Sequence, residues 1–180
     1  SDRMIDELFR LSEKTFLTVE LGLQTVHDKT ARFINRCHTY DDFLSGYRRL
    51  DGLNVCIHII DGLPFEDHGM MMETAAEIAK LHPHSVKIHL LHVLDSTLLG
   101  KMYKEGKITV LGLEEYVGTV CDQLEILPPD TVIGRVTGDG APAELLAPEW
   151  SKKKFVVMNE IDKELARRNS MQGAKYHSVL

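Results

Sequence analysis

The chain has 180 residues, enough for one domain, with 43% hydrophobic and 27% charged residues, the balance of a globular protein. Its apolar runs fall well short of the ~20 residues that cross a bilayer, so no membrane-spanning helix is expected. The net charge is −6, but seven basic and three acidic residues give residues 151–180 a charge of +4 and leave −10 on the remainder.

The cysteines argue against two classes of protein. Cys37, Cys56 and Cys121 are odd in number, which disfavours a disulfide framework, and they lie too far apart for a local metal motif. Reduced thiols in a cytoplasmic protein are therefore expected.

The first half of the chain alternates between helical and strand-like patterns. A helix over residues 4–13 is followed by a short strand over 18–23 and a helix from Asp28 to Arg36. Apolar side chains at helical spacing then predict another helix, with one stripe formed by Tyr40, Phe43, Leu44, Tyr47 and Leu50. The apolar, β-branched run over residues 54–60 predicts the second strand.

The second half continues the alternation. A helix capped by Asp67 ends before Pro83, and residues 85–93 predict a third strand. A polar loop runs to Gly106, and the strongest helical period in the chain covers residues 113–127. Residues 131–136 predict a fourth strand, and residues 151–169 the last helix. This order predicts an α/β fold with a parallel sheet covered by helices.

Three segments at predicted strand ends resemble one enzyme superfamily. They are Glu20-Leu-Gly-Leu-Gln-Thr25, Ile34-Asn-Arg-Cys-His38 and His58-Ile-Ile-Asp-Gly-Leu-Pro64. In this order they are similar to motifs of radical S-adenosylmethionine (SAM) proteins, in the branch of the Elongator catalytic subunit and oxygen-independent coproporphyrinogen oxidase. The segments Val86–Val93, Glu114–Tyr116 and Arg135–Asp139 narrow the resemblance to YhcC-type proteins over roughly residues 15–175.

The resemblance implies a fold and a cofactor pair. The chain would be the C-terminal half of a partial (β/α)6 TIM-like barrel with a small C-terminal α/β extension, divided at residues 1–112 and 113–180. Such enzymes use SAM and a [4Fe–4S] cluster held by a Cys-x-x-x-Cys-x-x-Cys motif, which this sequence lacks. The motif is expected upstream, so the chain alone is expected to be inactive and to hold no cofactor.

The resemblance also implies which residues contact SAM. Gln24 and Arg36 match a glutamine and an arginine that bind SAM in the coproporphyrinogen oxidase branch, and a guanidinium suits a carboxylate. His58 stands where that branch has an aspartate, and Gly62 shapes the turn beside the adenine. The alternatives are a strand-capping Gln24, an Arg36 paired with a surface carboxylate, and a His58 buried in the core.

A second group of polar residues is expected to line a substrate cavity. Strand alternation places Lys87 and His89 on one face and His92 on the opposite face. If the first face is the barrel interior, Lys87 and His89 line the cavity, and Arg135 from the YhcC-like segment is a third candidate.

Two other functions stay open from the sequence. A metal-dependent hydrolase would need ligands such as His58, His89 and His92 to converge, and no acidic residue is spaced to complete the set. A non-catalytic RNA-binding module would use the basic residues 151–180, since Elongator-branch relatives act on tRNA. The expected partners are tRNA or another RNA, the N-terminal half of the chain's own protein, and a second copy bound through edges that truncation exposes.

Overall fold

Helices and strands alternate along most of the chain, as the sequence predicts. The computed structural model describes residues 2–138 and 143–176. The helices there are α1 (Asp2–Ser12), α2 (Asp28–Phe33), α3 (Tyr40–Arg48), α4 (His68–Leu81), α5 (Leu98–Lys104), α6 (Leu113–Ile126) and α7 (Lys154–Arg167). The strands are β1 (Thr18–Gln24), β2 (Asn54–Asp61), β3 (Ser85–Leu90), β4 (Val93–Leu94), β5 (Val132–Arg135) and β6 (Leu145–Ala147).

Side-chain caps explain several helix starts. Thr39 and Asp42 form a capping box at α3, and the side chain of Asp67 accepts a hydrogen bond from the backbone N–H of Met70 at α4. The helix expected over residues 28–36 ends three residues early, because Asn35 adopts a left-handed backbone with φ 57°. Arg36 therefore lies in the loop after α2.

Two short elements occupy the region expected to be a polar loop. Thr97 caps α5, and the two residues of β4 pair with β6 in an antiparallel ribbon. Short elements of this kind give little periodicity to recognise. The helix expected from residue 151 also begins differently, since a 3-10 turn over Glu149–Lys152 precedes α7.

The central sheet is parallel and has the strand order β1-β2-β3-β5. Gly22 pairs with His58, His58 with Lys87, and Lys87 with Arg135, so these residues form one row across the sheet. Because all four strands are parallel, their carboxyl ends lie at the same edge. An α/β fold with a parallel sheet is thus confirmed.

The two faces of the sheet differ in chemistry. Alternate residues such as Leu23, Ile57, Ile59 and Val86 are buried in one apolar cluster with side chains of α3, α4, α6 and α7. The residues between them include Glu20, His58, Lys87 and His89, which are partly or largely exposed. The sheet is therefore covered by helices on one face and carries polar groups on the other.

The apolar core is continuous across the boundary expected at residue 112. Tyr116 of α6 is fully buried in the same cluster as Ile57 of β2, and β5 pairs with β3. The cut at residue 112 therefore does not separate two cores, and the assignment of residues 113–180 to a separate family region stays a prediction. Within the described ranges, no helix is long and apolar enough to cross a membrane.

Candidate functional site

The polar face leads to a cavity at the carboxyl ends of the strands. Its volume is about 400 Å³. It is lined by residues at or just after the ends of β1, β2, β3 and β5: Gln24, His58, Ile60, His89, Leu90, Leu91, His92, Arg135 and Gly138. Parallel α/β proteins bind ligands at this edge, because loops of variable sequence meet there. The cavity is therefore the candidate site.

A carboxylate on β1 joins side chains of β2 and β3. Oε1 of Glu20 lies 2.6 Å from Nζ of Lys87, and Oε2 lies 2.7 Å from Nε2 of His58. The contact between Nε2 of His58 and Oε2 does not have the geometry of a hydrogen bond, so it is electrostatic in character. Lys87, followed by His58, lowers the pKa of Glu20, which is therefore ionised at neutral pH.

His58 and His89 form the next link. Nε2 of His89 lies 3.3 Å from Nδ1 of His58, and the two rings stack with centroids 5.1 Å apart. Burial lowers the pKa of His89 to about 4, and the positive charge of neighbouring groups adds to the shift. His89 is therefore neutral at pH 7 and keeps one unprotonated ring nitrogen.

His92 lies in the same cavity as His89, so its expected placement on the opposite face was wrong. β3 ends at Leu90, two residues before His92, so the alternation of the strand does not extend to His92. Burial lowers the pKa of His92, and its Nε2 has no hydrogen-bond partner within residues 2–138 and 143–176.

Gln24 lines the cavity but folds back on its own strand. It has a left-handed backbone with φ 59°. With the amide oriented to satisfy its nitrogen, that nitrogen donates to the carbonyls of Gly22 at 3.0 Å and Leu23 at 3.2 Å. A Cβ at Gly22 would stand 2.4 Å from the other terminal atom of this amide, which is the oxygen in this orientation, so the glycine makes the fold-back fit.

Arg36 is committed to the protein itself. Its Nη1 donates to the carbonyls of Leu23 and Thr25, which flank Gln24, while Nε and Nη2 donate to the carbonyl of His38. Nη2 also contacts Asp28 at 3.2 Å, and only 3% of the Arg36 side chain is exposed. A direct contact between Arg36 and a SAM carboxylate stays a prediction. It requires Arg36 to give up one of these hydrogen bonds and to donate to the carboxylate instead.

Gly62 opens onto a neighbouring cavity of about 430 Å³ rather than the first one. Its φ of 78° favours glycine, and the side chain of Leu111 comes within 3.1 Å of the position a Cβ would take. The loops after β1 and β2 are nevertheless linked, because Thr25 donates a hydrogen bond of 2.7 Å to Glu66. The structure thus brings Gln24 and His58 together and places Gly62 and Arg36 beside them.

The thiols do not fit a cluster site. Cys37 is exposed, whereas Cys56 and Cys121 are buried in different elements, and burial raises the pKa of Cys121 to about 11. In the described part of the chain, no three His, Cys, Asp or Glu side chains are grouped to hold a metal ion. The metal-site arrangement of His58, His89 and His92 is therefore not formed.

Arg135 occupies the expected place, at the end of β5 and beside Lys87 in the sheet register. Sequence reasoning missed Glu20, which holds His58 and Lys87 together. Strand alternation could have identified Glu20, because residues 20, 22 and 24 of β1 point to one face and Glu20 therefore shares the face of Gln24.

Comparison with known proteins identifies a domain within the chain. Residues 83–167 match the Radical_SAM C-terminal domain. The chain is 49% identical over 174 residues to the uncharacterized protein YtqA of Bacillus subtilis, covering 96% of this chain and 54% of that one. It is 30% identical to protein YhcC of Escherichia coli, covering 96% and 57%. The chain thus spans about half the length of the curated relatives it matches.

Some more distant relatives are named for an enzymatic activity. A tRNA uridine(34) acetyltransferase of Methanocaldococcus jannaschii is 30% identical over 126 residues, covering 67% of this chain and 23% of that protein. The solved structure of Methanocaldococcus infernus Elp3 with an N-terminal deletion superposes with a TM-score of 0.71 at 22% identity, covering 91% and 39%, which shows a shared fold. Residues 83–167 thus match a C-terminal domain of the radical SAM superfamily, and the chain is similar over nearly its whole length to YtqA and YhcC.

Proposed function

We propose that these residues form the C-terminal half of a partial (β/α)6 TIM-like barrel, with a small α/β extension, in a radical SAM enzyme. In such an enzyme SAM, reduced through a [4Fe–4S] cluster, supplies a 5′-deoxyadenosyl radical that takes a hydrogen atom from the substrate. The supporting observation is the two-sided chemistry of the sheet: helices cover one face, while ionised and polar groups line the other and lead to the cavity. A barrel of this kind has its helices outside and its ligand-binding residues at the carboxyl ends of the strands.

The cluster ligands would come from outside residues 1–180, because the three thiols lie in unsuitable places. We accordingly expect no reductive activity from this chain alone. Its part would be to bind and orient the nucleoside end of SAM and the substrate. The substrate itself is unassigned.

The proposed SAM contacts lie at the carboxyl edge of β1 and β2. The Gln24 amide and the His58 ring line the cavity and offer donors and acceptors to ribose hydroxyls. Gly62 would give a ligand close access to the turn after β2 if the Leu111 side chain moved. Arg36 would complete the set either by direct contact with the carboxylate or by holding the loop that carries Gln24.

The proposed substrate contacts are Lys87, His89 and Arg135. All three lie on the polar face, and His89 and Arg135 line the cavity beside His58. Glu20 pairs with Lys87 and so balances part of the positive charge. A polar substrate with hydrogen-bonding groups suits these side chains better than an apolar one.

The SAM assignment is tested in a protein that joins these residues to the cluster-binding region, reconstituted without oxygen. We expect His58→Ala to raise the Kd for SAM about tenfold, in line with the loss of one hydrogen-bonding side chain. Equilibrium dialysis with labelled SAM measures it. His84→Ala is the matched control, because exposed His84 precedes β3 at the opposite edge of the sheet. An unchanged affinity in His58→Ala would remove His58 from the SAM site.

We propose tRNA as the partner class. The support is the similarity to tRNA uridine(34) acetyltransferases and the +4 charge of residues 151–180. Much of that charge is neutralised locally, since Arg167 and Arg168 pair with Glu164, and Arg168 also pairs with Asp122. The contact is therefore best placed around Lys153, next to Phe155, whose ring is 81% exposed and suited to stacking on a base.

The tRNA proposal predicts affinity that falls steeply with salt. Filter binding of tRNA at two salt concentrations measures this dependence, which counterion release requires of any phosphate contact. Phe155→Ala is expected to weaken binding about tenfold through lost stacking. The control is Phe16→Ala, an equally exposed ring far along the chain. A tRNA affinity that does not change with salt concentration, or an equal loss of affinity in both variants, would contradict the proposal.

We also propose that another strand pairs with β1. β1 forms one edge of the sheet, so its outer backbone groups can form hydrogen bonds with an added strand. The occupant would be the preceding part of the same protein or, when that part is absent, a second copy of this chain.

A further inference from the structure

We infer that Glu20, His58 and His89 form a proton relay that ends in the cavity, with His89 as the group that accepts a proton from the bound substrate. Adjacent strands β1, β2 and β3 each supply one member of the relay. The inference depends on the proposed function only in placing the substrate above His89.

The contacts define which nitrogen carries each proton. Nε2 of His58 lies 2.7 Å from the ionised Glu20 carboxylate without forming a hydrogen bond, and the negative charge favours a proton on that nitrogen and leaves Nδ1 as an acceptor. Nε2 of His89 lies 3.3 Å from this Nδ1 and so carries the proton of their hydrogen bond. His89 is neutral, so its own Nδ1 is unprotonated.

The free nitrogen of His89 is accessible to a ligand. Within the described part of the chain, Nδ1 of His89 makes no hydrogen bond, and this atom is not fully buried. His89 lines the 400 Å³ cavity beside Arg135 and His92. An N–H or O–H group of a ligand in the cavity would therefore meet an acceptor whose opposite side already contacts His58.

The transfer balances without another reactant. The ligand N–H or O–H bond breaks, its proton binds Nδ1 of His89, and the ligand keeps the bonding electron pair. The proton on Nε2 of His89 passes to Nδ1 of His58. The positive charge thus ends on His58, beside the Glu20 carboxylate, rather than on His89, where burial disfavours a cation.

The charges around His89 explain why the carboxylate matters. Burial opposes a cation on His89, and so do its basic neighbours His58, Arg135, Lys87 and His92. Glu20 is the acidic group that contacts both His58 and Lys87. Glu20 and His58 are positioning residues, because neither needs to touch the ligand.

Nuclear magnetic resonance of the chain labelled with ¹⁵N-histidine tests the relay directly. We expect the neutral form of His58 to carry its proton on Nε2, and His89 to have an unprotonated Nδ1. In Glu20→Gln we expect the His58–His89 pair to take up its first proton about one pH unit lower, because the nearby negative charge is lost. Glu20 is exposed within β1, so the substitution should leave the fold intact.

Glu13→Gln is the control, because it removes the same charge from an exposed residue after α1. A His58 proton on Nδ1, or a first protonation of the pair that is the same in wild type and Glu20→Gln, would overturn the relay. The measurement contains no SAM. A failure of SAM binding would therefore leave the relay standing, and a failed relay would leave the SAM proposal untouched.

Discussion

Asp61→Asn is expected to stabilise the protein at pH 8 by about 3 kcal/mol. Asp61 is 2% exposed at the end of β2, and its Oδ1 accepts a hydrogen bond of 2.8 Å from Nε2 of Gln123. Within the described ranges, Oδ2 of Asp61 and Oε1 of Gln123 have no hydrogen-bond partners. A protonated Oδ2, or the amide nitrogen of an asparagine, would donate to Oε1 and satisfy both groups.

The pH dependence follows from burial. Burial raises the pKa of Asp61 from its ordinary 3.8 to about 7 in the folded protein. The folded state therefore prefers the neutral acid. Its stabilising effect is complete below pH 3.8 and is lost as the pH rises to about 7. A shift of about three units corresponds to roughly 4 kcal/mol. The gain from asparagine should consequently be small at pH 4 and largest at pH 8.

Urea unfolding at pH 4 and pH 8 measures this difference in the free energy of unfolding. Asp51→Asn is the control, because it removes the same charge from an exposed turn between α3 and β2. A loss of stability in Asp61→Asn at pH 8 would mean that the ionised carboxylate is needed in the fold, contrary to the burial argument.

Arg36→Ala is expected to destabilise the protein by about 3 kcal/mol. The substitution leaves the carbonyls of Leu23, Thr25 and His38 without their donor and removes the partner of Asp28. It also frees the loop that holds Gln24 in its left-handed conformation. Arg36→Lys should recover less than half of the loss, because one ammonium cannot reach the same acceptors as a planar guanidinium.

Urea unfolding at pH 7 measures the effect of Arg36→Ala. The control is Arg32→Ala on the exposed side of α2, for which we expect a change within about 0.5 kcal/mol. If Arg36→Ala were as stable as wild type, the guanidinium would not hold the loop, and a direct role toward a ligand carboxylate would be its main purpose.

The fold was predictable where a regular spacing of apolar residues extended over a whole helix or strand. The helix α6 and the strands β2 and β3 lie where apolar spacing places them, because their buried residues dominate the core. The α2 helix was expected to reach Arg36, but a left-handed Asn35 ends it, and single-residue backbone conformations leave little trace in a sequence. The ribbon of β4 and β6 depends on pairing across some fifty residues, which local patterns do not reveal.

The candidate site was predictable in part. Gln24, His58, His89 and Arg135 line one cavity because each belongs to a strand end, a position that the strand pattern gives. Three features depend on tertiary geometry instead. The guanidinium of Arg36 turns toward backbone carbonyls, His92 lies past the end of β3, and Glu20 reaches across β2 to Lys87. Each requires coordinates of neighbouring elements.

Titration of the ¹⁵N-labelled chain with SAM tests the location of the proposed site most directly. Binding should be weak, because the iron that would chelate the amino-acid end is not held by these residues. We predict that the amide shifts that change lie at residues 22–25, 58–63 and 89–92, around the cavity at the carboxyl ends of the strands. Changes confined to the opposite edge, around Gly52 and His82, would contradict the account.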